Sequence, residues 1–357
     1  MPPEQSPATI GKVDAALFAR AIHPRLGRQD ASVRVGPAQG VDSGIIDLGR
    51  GQVMALTTDP FFVMPEHGWR PAGWFAVHIL ASDLATTGLA PRYMSVDLNL
   101  PPDFTDASLA ALWEAVHDAC DELGISVVTG HTGRYAGCQF PMVGGCTMVG
   151  IGPADAYVTS AMARAGDHVL MTKGAAVEAT ALMAWSFPER LRAAVGPTLL
   201  SQAQEMYWQM STVRDALTAA AVGVRDAGVT AMHDATERGV LGGLYEIAQA
   251  SGVGLRIDAE SIHVCDAAAA VCAHFGMDPL AAISEGTLLL TCRPHARGAV
   301  REALQSAGVP AYEIGVCTQA RDRTLVWRDG EAPLTEPGGE PFWSAFQQAA
   351  AACSENT

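Results

Sequence analysis

The 357-residue chain predicts a mixed α+β protein of two domains, and three observations carry that expectation. Short apolar runs with strand-like alternation recur between longer runs with helical spacing. Isolated Gly and Pro residues punctuate the joins, where tight hairpins would show two-residue turn signals. The length also exceeds what one hydrophobic core usually serves. A boundary is expected near residue 160, inside the small-residue connector GPADAYVTSAMARAGD at 152–167. The expected organisation is a lead over 1–35, a first domain over 36–160, a second over 161–335 and a tail over 336–357.

Each element has its own justification. Val13 to Ile22 reads as a short helix stopped by Pro24. GPAQGVDSGIIDLGRGQ at 36–52 is a glycine loop with Asp42 just ahead of Ile45 and Ile46. Val53 to Thr58 fits a buried strand that ends in Asp59. The helix after it has Pro71 in its first turn, Gly88 at its close and Pro91 beyond. Phe75, Ile79, Leu80 and Leu84 turn one of its faces inward, and Asp83 rides on it. Met94, Val96, Leu98 and Leu100 alternate with polar residues as a half-buried strand does. Asp106 to Leu123 is an amphipathic helix closed by Gly124. Ile125 to Thr129 is expected as a buried strand feeding the turn Gly130-His131-Thr132-Gly133, and Cys138 to Gly152 as another strand.

In the second half a strand at His168 to Thr172 precedes Lys173-Gly174 and a helix from Ala175 to Trp185. One long helix is expected from Thr198 to Ala221, then a loop, helix and strand over 232–258. Further strands are expected at Thr287 to Cys292, Glu313 to Cys317 and Thr324 to Trp327, with a helix at Ala296 to Ser306 and a short alanine-rich helix in the tail.

Composition narrows the function. A formal charge of −15 argues against nucleic acid or an anionic membrane as partner. A polyanion such as ATP can still bind such a surface if divalent cations mediate the contact. Eight cysteines without a CxxC pair suit reduced, mostly buried thiols, and neither a basic, then apolar leader nor a membrane-length apolar run is present, so the cytoplasm is the expected location. The phosphate loops GxxxxGK[ST] and GxGxxG are absent, as are GxSxG and HExxH. What remains is acidic: Asp42 after a glycine loop, Asp59 at a strand end and Asp83 on a mostly apolar helix. Carboxylates at the ends of core elements need a cation or donors to offset desolvation, and magnesium commonly bridges one or two of them to phosphate. Turn geometry alone would also explain Asp42. His131 reads as a substitute ligand, an acid–base group or a solvated turn residue.

Five stretches then occur in order: TTD at 57–59, ASDLATTGLAPRYMS at 81–95, VTGHT at 128–132, MHDATERGV at 232–240 and SEGTL at 284–288. Together they resemble the ATP-dependent aminoimidazole ribonucleotide synthetase (PurM-like) superfamily, and most closely its hydrogenase-maturation dehydratase (HypE) branch. The resemblance implies a two-domain PurM-like fold, with an N-terminal domain that forms a β-barrel dimer interface and a C-terminal α+β sandwich. It implies ATP in the cleft between the domains, with Mg2+ held by Asp42, Asp59 and Asp83, and with Asp234 and Thr236 facing the nucleotide. Glu285 would stand near the reacting group, and Glu285 or His131 would move protons. Such enzymes phosphorylate an amide-type oxygen or a phosphate, so a homodimer acting on a small-molecule or protein-bound amide is implied.

The departures are also specific. The turn that usually reads GDT is Gly130-His131-Thr132, Gly133 stands where the hydrogenase branch has lysine, and Glu237 replaces an expected arginine. That branch ends in a cysteine that is its own substrate, whereas here Cys353 precedes SENT at 354–357. These changes argue against hydrogenase cyanation and keep a second reading open: a nucleotide-binding or scaffold homologue with impaired catalysis.

Overall fold

The computed structural model describes Val13, residues 15–336 and residues 338–354; the first twelve residues of the expected lead and the last three of the tail lie outside them. The chain begins with α1 (Ala15–Leu17), which widens into a π turn over Phe18–Ile22 and ends in a 3-10 turn, His23–Arg25, that contains Pro24. Then come β1 (Val33–Val35), β2 (Gly44–Gly49), β3 (Gln52–Phe62), α2 (Trp69–Ala85), β4 (Tyr93–Leu100), α3 (Asp106–Leu123), β5 (Ser126–Arg134) and β6 (Met142–Pro153). The strands order β1-β2-β3-β6-β4-β5. Every pair is antiparallel except β4–β5, which α3 joins as the crossover a parallel neighbour requires. Thr105 caps α3 by accepting from the Ser108 amide, and Gly124 closes it in the left-handed region.

The second half holds β7 (His168–Thr172), α4 (Val177–Ser186), α5 (Pro188–Glu205), α6 (Val213–Val222), β8 (Val229–Asp234), α7 (Gly239–Ser251), β9 (Gly254–Asp258) and α8 (Asp266–Phe275). It continues through β10 (Leu288–Cys292), α9 (Arg297–Ser306), β11 (Ala311–Thr318), β12 (Arg323–Trp327), β13 (Gly330–Pro333) and α10 (Pro341–Ser354). Seven strands order β13-β12-β9-β11-β7-β10-β8, with β9–β12 the one parallel pair. The molecule is thus a mixed helix-and-sheet protein built on two sheets, as expected. All eight cysteines are free thiols. Among the described residues no helix is long and apolar enough to cross a membrane.

Helix α2 joins the halves. The spacing of Phe75, Ile79, Leu80 and Leu84 implies one inward face, but the helix is buried nearly all round. Ala72, Ala76, Val77, Leu80, Ala81 and Leu84 enter one core, while Phe75 enters another. A helix apolar on every side belongs in an interior, and α2 packs on α3, β3 and β6 of the first half and on α6 and β8 of the second. The same core takes Met94 and Met148 from the first sheet and Leu170, Met232, Leu288 and Leu290 from the second. A polar residue on α2 therefore faces a seam that both sheets line.

Four expectations need correction. Residues 125–129 are not a buried strand leading to a turn: β5 runs unbroken through His131 to Arg134 along the sheet edge, with Val127 40% and Val128 60% exposed. Alternation was absent there because neither face is covered within one chain. The single helix over Thr198 to Ala221 is α5 and α6, separated by a 3-10 turn at Met206–Gln209. The break is held from outside: His78 Nδ1 lies 2.8 Å from the Ser211 hydroxyl, and the Thr212 amide donates to Ser82 Oγ at 2.9 Å. Met232 to Asp234, expected in a loop, are the buried end of β8. Strands β1, β2 and β13 and helix α8 have no counterpart in the sequence reading; alanines dominate α8, so its periodicity is faint.

Because Leu80 is fully buried where α2 meets both halves, Leu80→Ala is expected to cost about 2–5 kcal/mol of unfolding free energy. Chemical denaturation measures it; a loss below ~1 kcal/mol would show that the seam is loosely packed.

Candidate functional site

The site forms where the seam meets the ends of β3 and β8. Its first component is the 36–43 loop. Gly40, at φ +70, lies so close to α7 that a Cβ there would sit 2.9 Å from the Glu246 Cβ. Only glycine permits both that backbone and that approach. The Ser160 hydroxyl donates to the Gly40 carbonyl and fixes the loop. Two residues on, the Asp42 carboxylate reaches His233 Nδ1 across the seam, at 2.7 Å. The Thr57 hydroxyl on β3 lies 2.9 Å from the Asp42 carbonyl and 3.2 Å from Asp83 Oδ2, and Ser43 Oγ donates to the Asp83 carbonyl at 3.2 Å.

Asp83 is thereby presented to a concentration of negative charge. Burial holds its carboxyl well above the usual carboxylate range, and Asp234, Asp59, Asp42 and Glu285 push it further. Asp59, two residues beyond Thr57 on the same strand, is exposed, yet its charge still reaches Asp83. The structure thus brings Asp42, Asp59, Asp83 and Asp234 into one electrostatic neighbourhood, from both halves of the chain. All-oxygen donors of this kind fit Mg2+, whose ordinary ligands are carboxylates, waters and phosphate oxygens. A dication there would offset the repulsion that raises Asp83.

The second half supplies the opposite wall. Asp234 is fully buried at the end of β8. The Thr236 carbonyl accepts from the Gly239 and Ser284 amides, at 3.1 and 3.3 Å, tying the turn after β8 to the turn that carries Glu285. Glu285, which lies in a loop between Ser284 and Gly286, is nevertheless completely buried. Its carboxyl is raised by burial, by Asp234 and by Glu178, and lowered by the Ser82 hydroxyl and Lys173. Gly286, at φ +100, leaves room for nothing larger: a Cβ would meet the Gln209 carbonyl at 2.2 Å. Lys173, just past the end of β7, is a strut. Its ammonium donates to the carbonyls of Ser211 and Gly286, at 2.7 and 2.6 Å, and pairs with Asp215 at 2.8 Å.

Sequence reasoning assigned no part to Thr57, His233, Glu246 or Glu178. Thr57 and His233 sit inside stretches that carried the resemblance, so position within the motif was the available signal. His233 is buried between two acids, with Nδ1 on Asp42 and Nε2 2.8 Å from Glu246. Burial alone would depress its basicity, but Asp42 and Glu246 together hold it well above the ordinary histidine value. His131 is placed elsewhere. It lies on β5 in the row Pro60–Gly145–Asp97–His131, three strands from β3, and its Nε2 meets the Tyr135 hydroxyl at 2.6 Å. At about 4.8 Å per strand that is ~14 Å from Pro60 on β3, the residue after Asp59.

Glu178 opens α4 and accepts from the Glu285 amide at 3.1 Å; burial raises its carboxyl to about 8. A carboxyl protonated in the folded chain but ionised at its ordinary value when unfolded takes up a proton on folding, so stability falls as pH climbs through that interval. In chelator-treated protein the unfolding midpoint is therefore expected to drop as pH rises from about 5 to about 8, and Glu178→Gln to flatten that slope. An unchanged slope in a thermal-unfolding series would remove Glu178 as its source.

Comparison with known proteins places the chain in a family. Residues 40–152 match the N-terminal domain of AIR synthase related proteins and residues 164–328 match their C-terminal domain. A curated relative, "Carbamoyl dehydratase HypE" of Bradyrhizobium diazoefficiens, is 29% identical over 320 residues, covering 85% of this chain and 84% of its own length. The crystal structure of HypE from E. coli, a hydrogenase maturation protein, superposes with a TM-score of 0.65 at 26% identity, covering 81% of this chain and 87% of its own. A structure of the hydrogenase maturation protein HypE in complex with ATP has the same fold, with a TM-score of 0.62 at 19% identity over 94% of this chain and 98% of its own. With both domain types present in order over two sheets, the chain belongs to the AIR synthase related family.

Proposed function

We propose that the chain is an ATP- and Mg2+-dependent enzyme that activates an amide or carbamoyl-type oxygen by phosphoryl transfer. The observation that carries this reading is the convergence of Asp42, Asp83 and Asp234 from separate segments on a buried seam. So many acids in one interior are costly unless a cation offsets them. The relatives named as carbamoyl dehydratases, and the relative solved with ATP, support the same chemistry.

In this reading the domains over 36–160 and 161–335 form the two walls. Asp42, Asp59 and Asp83 would hold the cations, whose charge would neutralise the triphosphate. Asp234 and Thr236 face the nucleotide from the other wall. Glu285, whose buried carboxyl holds its proton more tightly than usual, moves a proton at the acceptor. Transfer of the γ-phosphoryl group to an amide oxygen turns that oxygen into a leaving group, after which loss of phosphate completes a dehydration or substitution. Positioning and charge neutralisation carry such a reaction.

The reading includes a homodimer. Strand β5 presents an open edge and exposed Val127 and Val128, with Tyr135 and Met142 nearby, which a second copy would cover as a β-barrel closes. His131 lies on that edge, so any part it has in proton transfer depends on the pairing of two copies. The second reading, a nucleotide-binding scaffold, draws on Glu237 and Gly133, which replace the basic residues of the hydrogenase branch.

Asp83→Ala is expected to abolish Mg2+-dependent ATP hydrolysis while leaving the fold intact, since it removes an acid from a crowd of acids. Turnover assays with amide and carbamoyl acceptors, beside near-ultraviolet circular dichroism, measure both. Unchanged turnover sinks the cation assignment. Calorimetric binding of ATP and Mg2+ without ADP release over hours, across the acceptor panel, favours the scaffold.

A further inference from the structure

The acids of the seam do not meet only oxygen. The His233 side chain is 2% exposed, Asp234 is fully buried, and Asp42 keeps 11% of its side-chain surface. The Nδ1 atom of His233 lies 2.7 Å from Asp42 Oδ2 and 4.0 Å from Asp234 Oδ1, and one donor atom of each residue falls within 4.8 Å of the others. On the far side of the ring, Nε2 is 2.8 Å from a Glu246 carboxylate oxygen. That is the outer half of a carboxylate–histidine–metal arrangement: the distal N–H donates to a carboxylate, which orients the ring and leaves the proximal nitrogen to face the ion.

The geometry points to a mixed nitrogen–oxygen cation site made of His233 Nδ1, Asp42 and Asp234, with Glu246 as the outer acceptor, that takes a first-row transition-metal dication such as Mn2+ or Co2+ in preference to Mg2+. Imidazole is a poor ligand for magnesium, and a nitrogen–oxygen site binds first-row dications with an affinity that rises from Mn2+ through Co2+. Distances allow it. Ligand atoms at about 2.1–2.2 Å from a metal and at right angles to each other are ~3 Å apart, so a small opening of the Asp42–His233 contact admits an ion. A metal-bound imidazole nitrogen carries no proton, so any proton on Nδ1 would pass to solvent as the ion enters. Two packing features hold the donors in position. Gly243 on α7 lies so close to the ring that a Cβ there would be 3.2 Å from His233 Cδ2, and Gly40 seats the Asp42 loop on Glu246.

This inference rests on the reading of the seam as a cation site and adds the nitrogen ligand to it. The full chain, freed of metal and held without nucleotide, is titrated with Mn2+ and examined by electron spin-echo spectroscopy. Nitrogen modulation on the bound Mn2+ is expected in the parent chain and its loss in His233→Gln. Glu246→Gln is expected to weaken Mn2+ binding about 10–100-fold while Mg2+ binding changes less than about twofold. The parent-chain spectrum needs no variant to fold, so a destabilised substitution does not blunt the test. Bound Mn2+ without nitrogen modulation overturns the assignment, as does His233→Gln binding Mn2+ as tightly as the parent. Calorimetry of ATP with Mg2+ on the same preparations separates the two levels. Intact nucleotide binding with no nitrogen signal removes His233 alone, whereas loss of both removes the cation reading beneath it.

Discussion

Mutual repulsion among carboxylates on a buried seam is the constraint around which this molecule is built. Asp83 sits on a helix that both sheets enclose, where burial first, and then Asp234, Asp59, Asp42 and Glu285, raise its carboxyl above the usual range. An interior would ordinarily exclude such a set, because each desolvated charge costs several kcal/mol unless compensated. The scaffold compensates in part from within. Thr57 donates a hydroxyl toward Asp83, His233 lies between Asp42 and Glu246, and Lys173 stands near Glu285. In the proposed function the remainder is left for a bound cation, through which a protein of net charge −15 would hold a nucleotide polyanion.

The packing around the seam makes the acids' positions rigid. The polar side chains of α2, His78, Ser82 and Asp83, point at three different neighbours: Ser211, the Thr212 amide and Thr57. Lys173 then fastens Ser211 to Gly286. The break between α5 and α6 and the turn carrying Glu285 are thus secured by one buried knot, and each end of that knot comes from a segment far away in sequence. A site assembled in this way is pre-organised, and electrostatic stabilisation depends on that property.

Much of this is legible in the sequence. Strands β3, β4 and β7 and helices α2 and α3 announce themselves by alternation, spacing and capping residues, and Asp42, Asp59 and Asp83 stand out as acids in apolar frames. Other features depend on distant partners that no local pattern encodes. Residues 198–221 have continuous helical spacing, and only Ser82, His78 and Lys173 show why the helix stops. Glu285 looks like an ordinary loop acid until Gly286 is seen packed on Gln209. Strand β5 reads as interior because it is apolar, yet one chain leaves it uncovered. His233 was hidden differently: it lies within a recognised stretch, but its role emerges only when Glu246, thirteen residues later on α7, closes the other side of the ring.

The most direct measurement is a crystal structure of the chain with a non-hydrolysable ATP analogue and Mn2+, recorded at the manganese absorption edge. The account requires the triphosphate to lie along the seam, with anomalous peaks about 2.0–2.4 Å from carboxylate oxygens of Asp42 and Asp83. A nucleotide bound elsewhere, or a triphosphate on the seam with no metal between it and those carboxylates, would contradict it.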